Sequence, residues 1–171
     1  VIPGEKYYDL LIYDELTLNA TVYDDNGNIT SVEDLEGQTT EYTYNEEQEL
    51  TEVELSTGAT TAFEYDDYHN VLTETSDTGV VTTYTYDALG RLISQTNPLG
   101  HTTTISYDKV GNVVRVINAK KQITAYTYNA LGNMLSQTDP MGGVYAYTYD
   151  GKGNVLSVKD PLGNVQTFTW N

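Results

Sequence analysis

An aromatic residue recurs every 21 residues along this chain, and Asp or Asn follows it each time. The step does not vary between residues 23 and 170. Self-similarity at a fixed period is the signature of a repeat array, in which each copy stacks on its neighbours. The repeat therefore constrains the fold more than any property of composition. This first aromatic column consists of Tyr23, Tyr44, Tyr65, Tyr86, Tyr107, Tyr128, Tyr149 and Trp170.

Further columns keep the same period. A second aromatic residue stands two positions before the first in most copies, with Ile105 as an exception. Glycine occupies the positions four and fourteen after the first aromatic residue, except at Gln48, His69 and Lys121. The second aromatic column is Tyr42, Phe63, Tyr84, Tyr126, Tyr147 and Phe168. The turn glycines are Gly27, Gly90, Gly111, Gly132 and Gly153 in one column, and Gly37, Gly58, Gly79, Gly100, Gly142 and Gly163 in the other.

Each copy predicts two strands and two turns. Residues 82–86 alternate polar and apolar side chains, as a half-buried strand does, and residues 92–96 form the return strand. Between them, Asp87 and Gly90 hold the first and fourth positions of a type I turn. The segment Asn97-Pro98-Leu99-Gly100 closes the copy, with proline supplying a fixed φ.

We therefore predict an all-β fold of tandem antiparallel β-hairpins, forming a long, curved, twisted sheet or part of a β-shell. Residues 21–171 would hold seven copies and the start of an eighth, and residues 1–20 a degenerate copy or an N-terminal cap. Because the sequence stops within a copy, we expect the array to continue in a longer protein.

The odd repeat length requires an irregularity in every copy. Side chains alternate between the two faces of a strand, so equivalent residues share a face only if one loop is odd and one even, or if a bulge intervenes. The Asp-x-x-Gly turn suits a three-residue loop with a glycine bulge, and the Pro-containing turn would then be the even one.

With that register, each Tyr of the first column lies beside two members of the apolar column, and together they form a ladder across the sheet. The apolar column stands six positions after the Tyr and comprises Ile29, Leu50, Val71, Leu92, Val113, Met134 and Val155. An offset of two residues between neighbouring copies would contradict this ladder. The next position turns apolar toward the C-terminus, as at Leu135 and Leu156, so we expect the C-terminal copies to bury both faces, against another turn of sheet or a partner.

Charge and composition exclude several classes of protein. The net charge is −17, with −19 in residues 1–85 and +2 in residues 86–171, so phosphate backbones are poor partners. There is no cysteine, which excludes disulfides and thiolate metal sites. No apolar run is long enough to span a membrane, and the N-terminus lacks the features of a signal peptide.

No constellation in the sequence predicts catalysis, a cofactor or a metal site. The only histidines, His69 and His101, have no nucleophile motif beside them. The acidic residues Glu46, Glu47, Glu49, Glu52 and Glu54 lack the spacing of a calcium loop, so a solvated face is favoured. The Tyr columns could stack on sugars, although regular Tyr columns more often stabilise a sheet. We predict that the chain is not an enzyme.

The pattern Tyr-Thr-Tyr-Asp-x-x-Gly-Asn or Gly-Arg, followed by Asp-Pro-x-Gly, resembles the YD repeat of the Rhs family. Residues 84–100, 126–142 and 147–163 match it best, whereas the acidic copies diverge and lack the Asp-Pro. The resemblance implies a hollow β-shell of the kind found in bacterial Rhs toxins, toxin-complex C subunits and teneurins. It also implies a secreted or cell-surface bacterial protein whose partners are its own other repeats and an enclosed C-terminal toxin or effector domain.

The leading hypothesis is therefore a structural scaffold that encloses or presents another domain. The alternative is a carbohydrate-binding or adhesion module for cell-wall or cell-surface glycans, which uses exposed Tyr rings. A designed consensus array is disfavoured, because the acidic copies vary too much.

Overall fold

The computed structural model describes residues 20–170, which form β-strands joined by turns. The prediction of an all-β fold of antiparallel hairpins is confirmed for this part of the chain. The expected cap or degenerate copy at residues 1–20 lies, apart from Ala20, outside the described residues. No helix within residues 20–170 has the length and apolarity that a membrane crossing requires.

The described residues form two compact units, 20–83 and 84–170, and the boundary lies within the seventh strand. In each unit, strands adjacent in sequence pair antiparallel. The strands up to the boundary are β1 Ala20–Tyr23, β2 Ile29–Glu33, β3 Thr39–Tyr44, β4 Leu50–Leu55, β5 Thr60–Tyr65, β6 Val71–Ser76 and β7 Val81–Tyr86. Those after it are β8 Leu92–Thr96, β9 Thr102–Tyr107, β10 Val113–Ile117, β11 Ile123–Tyr128, β12 Met134–Thr138, β13 Val144–Tyr149, β14 Val155–Lys159 and β15 Val165–Thr167.

The turn that follows the first aromatic column, here called the first turn, is a three-residue loop. After β1, the Asp24 N–H donates to the Asn28 carbonyl at 2.9 Å, and the Gly27 N–H donates to the Asp24 carbonyl at 3.1 Å. Gly27 has a φ of 88°. This is a type I turn with a glycine bulge, as predicted for the Asp-x-x-Gly segment.

The turn that closes each copy, the second turn, has the same geometry, so the prediction of an even Pro-containing loop is wrong. The Asn97 N–H donates to the His101 carbonyl, and the Gly100 N–H donates to the Asn97 carbonyl, both at 2.9 Å. Pro98 takes the first loop position, where a type I turn requires the φ that proline has. Gly100, at a φ of 76°, supplies the left-handed residue. Asp-x-x-Gly and Asn-Pro-x-Gly are thus two sequences for one turn.

A β-bulge compensates for the two odd loops. Tyr44 pairs with Leu50 and Thr43 pairs with Glu52, which leaves Thr51 as the extra residue between them. Register shifts occur at the equivalent place in other hairpins of both units. The bulged residue belongs to the column seven after the Tyr, which therefore lies outside the regular alternation. The bulge keeps equivalent residues of successive copies on the same face.

Successive copies are offset by two residues, which corrects the straight ladder. Glu41 pairs with Glu54, and Glu54 pairs with Thr60, so Glu41 lies across from a residue 19 positions later and not 21. The same offset in the second unit brings Ala125 across from Val144, through Thr138. The aromatic columns share a face within each unit but run obliquely across the strands.

The described residues include no buried side chain, as expected for single layers of sheet. Within the described residues, nothing covers either face of the C-terminal copies. Leu135 and Leu156 remain 40% and 39% exposed. Their burial against a partner stays a prediction.

Candidate functional site

Several side chains of the first aromatic column tie one hairpin to the hairpin before it. Tyr44 is paired with Leu50, and its hydroxyl donates to the Ile29 carbonyl at 2.9 Å. The Tyr65 hydroxyl reaches the Leu50 carbonyl in the same way, at 2.7 Å. Each of these rings therefore touches two members of the apolar column in spite of the offset. In the second unit the equivalent donors are Tyr107 to Leu92 at 2.8 Å, Tyr149 to Met134 at 2.7 Å and the Trp170 Nε1 to Val155 at 2.7 Å.

The face that carries these rings, here the aromatic face, shields the phenols in part from water. Burial raises the pKa of the Tyr65, Tyr128 and Tyr149 hydroxyls above the usual value. Tyr42 and Val53, paired on β3 and β4, extend the same face. Tyr44, Tyr65, Tyr107 and Tyr149 thus act as cross-hairpin anchors whose hydroxyls are bound by backbone carbonyls.

The opposite face, here the polar face, is acidic in the first unit. Strand alternation places Glu41, Glu52 and Glu54 on it, and Glu41 lies directly opposite Glu54. Residues 20–83 contain no Lys or Arg to neutralise these carboxylates. Like charges on directly opposed residues destabilise a sheet. This face is therefore a source of electrostatic repulsion.

In the second unit the polar face carries hydroxyl pairs and two cations. The Thr127 and Ser136 hydroxyls lie 2.6 Å apart, and so do those of Thr148 and Ser157 in the next copy. Both pairs join directly opposed residues. Arg115, opposite Ser106, and Lys159, opposite Ala146, lie on the same face. The polar face thus carries carboxylates without cations in residues 20–83, and hydroxyls with cations in the second unit.

An Asp or Asn opens most of the turns and organises the loop, although Leu55 and Ser76 hold this position in two second turns. In the turn after β5, the Asp66 Oδ1 accepts from the Tyr68 and Asn70 N–H groups, both at 2.9 Å. A side-chain hydrogen bond from Asn70, together with these backbone donors, lowers the pKa of Asp66. Equivalent hydrogen bonds lower the pKa of Asp24, Asp87, Asp108, Asp150 and Asp160.

Glycine is replaced at two first turns, and each replacement contacts the turn before it. Gln48 and His69 adopt positive φ values of 67° and 66°. The Asn28 Nδ2 donates to the Gln48 Oε1 at 2.5 Å, and the His69 Nδ1 lies 2.7 Å from the Glu49 Oε1. Both contacts span 20 residues and join successive first turns along one rim of the sheet. The departures from glycine therefore create lateral contacts that glycine cannot make.

The His69–Glu49 contact brings an imidazole and a carboxylate together at the rim, with a second carboxylate, Glu47, nearby. The Glu49 side chain is only 9% exposed and also accepts from the Asn45 Nδ2 at 2.6 Å, whereas the His69 side chain is 64% exposed. Hydrogen bonding from Asn45 and His69 lowers the pKa of Glu49. The Glu49 carboxylate raises the pKa of His69. Ligand atoms of Glu47, Glu49 and His69 lie within 4.8 Å of one another, and we interpret the group as an ion pair with a neighbouring acid, because Glu49 and His69 already satisfy each other.

An arginine makes the lateral contact in the second unit. The Arg91 guanidinium forms an ion pair with Asp87 at 2.6 Å. The Arg91 Nη1 also donates to the Asp108 carbonyl, in the first turn of the next copy, at 3.3 Å. Its guanidinium also lies 4.5 Å from the centre of the Tyr107 ring. Stacking of this kind stabilises by about 0.5–1 kcal/mol at exposed sites. The residue five after the Tyr is thus the lateral connector in both units.

Apolar residues at the turn tips project into solvent. Leu99, Met141 and Leu162 at second turns are 79%, 91% and 89% exposed, and Tyr68 at a first turn is 83% exposed. Grooves between the strands are shallow. One of them, about 170 Å³ in volume, is lined by residues such as Val32, Thr40 and Leu55. This is small for a ligand pocket, which usually measures some 300–1,000 Å³.

The residues selected from the sequence lie in three different places in the structure: the turns, the two faces of the sheet and the rim. All the turn glycines of both columns have φ between 73° and 103°. The acidic group considered for calcium is divided, because Glu52 and Glu54 lie on the polar face whereas Glu47 and Glu49 lie at the rim. Sequence analysis missed the His69–Glu49 pair. Its signal was the coincidence of two departures from consensus 20 residues apart.

Comparison with known proteins identifies the repeat. The family model described as RHS Repeat matches residues 23–60, 65–103, 107–144 and 128–165, which together make up most of the chain. This chain belongs to the Rhs repeat family. The resemblance inferred from the YD pattern is therefore confirmed. No curated protein matches the chain.

Solved structures with a similar fold come from toxin complexes. The crystal structure of TcdB2-TccC3-Cdc42 has a TM-score of 0.72 at 20% identity, over 91% of this chain and 10% of that one. The crystal structure of TcdB2-TccC3 has a TM-score of 0.70 at 20% identity, over 86% and 9%. The Photorhabdus luminescens Tc holotoxin pore has a TM-score of 0.69 at 20% identity, over 87% and 9%. The Rhs repeats described here span about a tenth of the length of those chains.

Proposed function

We propose that this chain is a structural segment of the β-shell of a secreted or cell-surface bacterial Rhs repeat protein. The shell would enclose or present a C-terminal toxin or effector domain, with the other repeats of the same protein as further partners. The observation that carries the proposal is the absence of any buried side chain in residues 20–170. A repeat that cannot bury a face alone draws its stability from neighbouring repeats and from whatever covers that face.

The chemistry of the two faces supports a wall separating two environments. One face carries aromatic anchors whose hydroxyls are bound by carbonyls, as in Tyr65 to Leu50. The other carries Glu41 and Glu54 in the first unit and the Thr127–Ser136 hydroxyl pair in the second. Membership of the Rhs repeat family and the fold shared with Tc toxin structures are consistent with this role. The same features support a scaffold that does not itself catalyse a reaction.

Labelling of single cysteines in the full-length protein tests the enclosure. The chain has no cysteine of its own, so Ser136→Cys and Gln137→Cys each add a unique thiol in this segment. They are adjacent on β12 and point to opposite faces, because Ser136 pairs with Thr127 and Gln137 with Tyr126. In a closed shell, a maleimide carrying a bulky polymer labels only one of the two. A small maleimide, which can enter the lumen, labels both and serves as the control for thiol reactivity.

Labelling of both thiols by the bulky reagent would exclude a closed shell. The alternative, a glycan-binding module, rests on the exposed ring of Tyr68. Saturable binding of a cell-wall glycan that is lost in Tyr68→Ala would favour that alternative over a purely structural role.

A further inference from the structure

The rim contact between His69 and Glu49 is a cross-link between two hairpins. Glu49 belongs to the turn between β3 and β4, and His69 to the turn between β5 and β6. The pairing of β4 with β5 spans Glu52 to Glu54 and does not reach the rim. Nearer the turns, the Tyr65 hydroxyl donates to the Leu50 carbonyl and also joins the two hairpins. The 2.7 Å contact therefore adds a direct link between the two turns beyond the end of the strand ladder.

The charged groups that act on His69 among the described residues are acidic. Glu49 and Glu47 face it from the preceding turn, and Asp66 faces it from its own turn. Residues 20–83 contain no Lys or Arg, so His69 is the only group in this unit that can supply a positive charge near neutral pH. The Glu49 side chain is 9% exposed, and its carboxylate has the Asn45 amide as its other side-chain donor.

We infer that His69 and Glu49 form a pH-gated clamp between successive first turns, closed in mildly acidic solution and loosened as the solution becomes alkaline. A protonated imidazole and an ionised carboxylate attract each other. A neutral imidazole retains at most the hydrogen bond. The clamp needs no other component, because both partners belong to this chain.

The sign of the pH dependence follows from the two partners. The pKa of His69 is raised above 6.5, so its contribution is complete below that value and is lost as the pH rises through the folded pKa. The pKa of Glu49 is lowered below 4.5, so its contribution is complete above that value and is lost as the pH falls through the folded pKa. The clamp is therefore strongest between pH 4.5 and 6.5.

The neighbouring rim contact is a built-in control. Asn28 and Gln48 occupy the positions equivalent to Glu49 and His69 one copy earlier, and their amide hydrogen bond does not titrate. Gln48 also shows that glutamine is accepted at this positive φ. His69→Gln should therefore preserve the fold and a lateral hydrogen bond while it removes the ionisable group.

Proton NMR of the 171-residue chain tests the ion pair directly. The chain has two histidines, so a His101→Asn variant assigns the His69 ring signals. We expect a titration midpoint for His69 above 6.5, and a lower midpoint in Glu49→Gln, because the carboxylate that raises the pKa of His69 is then absent. Chelator is present throughout, so that bound metal cannot account for the result. A midpoint at or below 6.5, or one that Glu49→Gln leaves unchanged, would overturn the clamp.

Hydrogen exchange tests whether the pair holds the turns. The His69 N–H donates to the Asp66 carbonyl at 3.0 Å and reports on opening of its turn. After correction for intrinsic exchange, its protection should fall about two- to fivefold between roughly pH 5.5 and pH 8.5. The backbone amide of residue 69 in His69→Gln, and that of Gln48 in the unmodified chain, should not change. Equal pH dependence with and without the imidazole would reject a mechanical role for the pair.

Discussion

The Tyr65 hydroxyl donates a 2.7 Å hydrogen bond to the carbonyl of Leu50, a residue 15 positions earlier in the preceding hairpin. Leu50 is at the same time the strand partner of Tyr44. Leu50 thus connects two tyrosines of successive copies: it lies across the strand pair from Tyr44, and its carbonyl accepts the hydrogen bond from Tyr65.

Removal of this hydroxyl should weaken the array measurably. We expect Tyr65→Phe to lower the free energy of unfolding of the chain by about 0.5–1.5 kcal/mol, because the Leu50 carbonyl loses its donor. Urea denaturation followed by circular dichroism measures the change. Tyr68→Phe is the matched control, since that ring is 83% exposed at a turn tip, and it should be nearly neutral. Equal effects of the two substitutions would contradict the assigned role of Tyr65.

A Cβ at the left-handed turn position should cost stability even where there is room for it. Gly100 has a φ of 76° and no atom within 4 Å of an added Cβ, so Gly100→Ala introduces backbone strain alone, of about 1–2 kcal/mol. Gly151 has similar space but no positive φ, and Gly151→Ala should be neutral or stabilising. Thermal unfolding of the two variants decides the matter, and a stabilising Gly100→Ala would refute the assigned turn type.

The reverse substitution should stabilise the one second turn that lacks glycine. Lys121 occupies the equivalent position at a φ of 62°. Lys121→Gly removes a backbone strain of about 1–2 kcal/mol. The greater entropy of the unfolded chain lowers the stability by about 0.4–1 kcal/mol. We therefore expect the free energy of unfolding to rise by roughly 0.5–1 kcal/mol. The adjacent Lys120→Gly relieves no such strain and should destabilise. Both are read from the urea midpoint.

Charge reversal on the polar face should relieve repulsion. Glu54 lies directly opposite Glu41 in a unit without Lys or Arg. We expect Glu54→Lys to stabilise the chain by roughly 0.2–1 kcal/mol at low salt, and the gain to shrink as salt screens the charges. Glu54→Gln, which removes one charge without adding attraction, should give a smaller gain. A benefit independent of salt would point to packing instead of charge.

Acid should destabilise the chain through its turn aspartates. The pKa of Asp150 is lowered from 3.8 by the Asn154 side chain and by backbone donors, so its contribution is present above 3.8 and is lost as the pH falls through the folded pKa. Asn opens equivalent turns at Asn45 and Asn129. Asp150→Asn should therefore preserve the turn and make the acid transition less steep, whereas Asn129→Asp should make it steeper. Stability profiles between about pH 2 and pH 6 test both expectations.

Most of the fold was predictable because the same pattern of strand and turn residues recurs in every copy. The strand predicted at residues 92–96 is β8, and the glycines at fixed phase occupy left-handed positions. The loop parity was not predictable, since Asn97-Pro98-Leu99-Gly100 is compatible with an odd loop as well as an even one. Only the pairing of Tyr44 with Leu50 and of Thr43 with Glu52 reveals the bulge. A bulge leaves no distinctive residue type at its position, which is Thr51 in one copy and Val114 in another.

The rim contacts were hidden from sequence analysis for a related reason. Gln48 and His69 interrupt a glycine column, and they look like degeneration when copies are compared one at a time. Their partners, Asn28 and Glu49, belong to the preceding copy. Each contact is visible only when successive turns are placed side by side, because its two residues lie 20 positions apart in the sequence.

The bulge also sets a rule for how such an array can grow or shrink. Each copy carries its own correction, so a gene duplication or deletion of 21 codons leaves every downstream side chain on its original side. The insertion or deletion of a single codon within a strand has no such compensation, and it moves the side chains that follow to the opposite face of the sheet. The geometry therefore tolerates a change in the number of copies and opposes a change in the length of the individual copy.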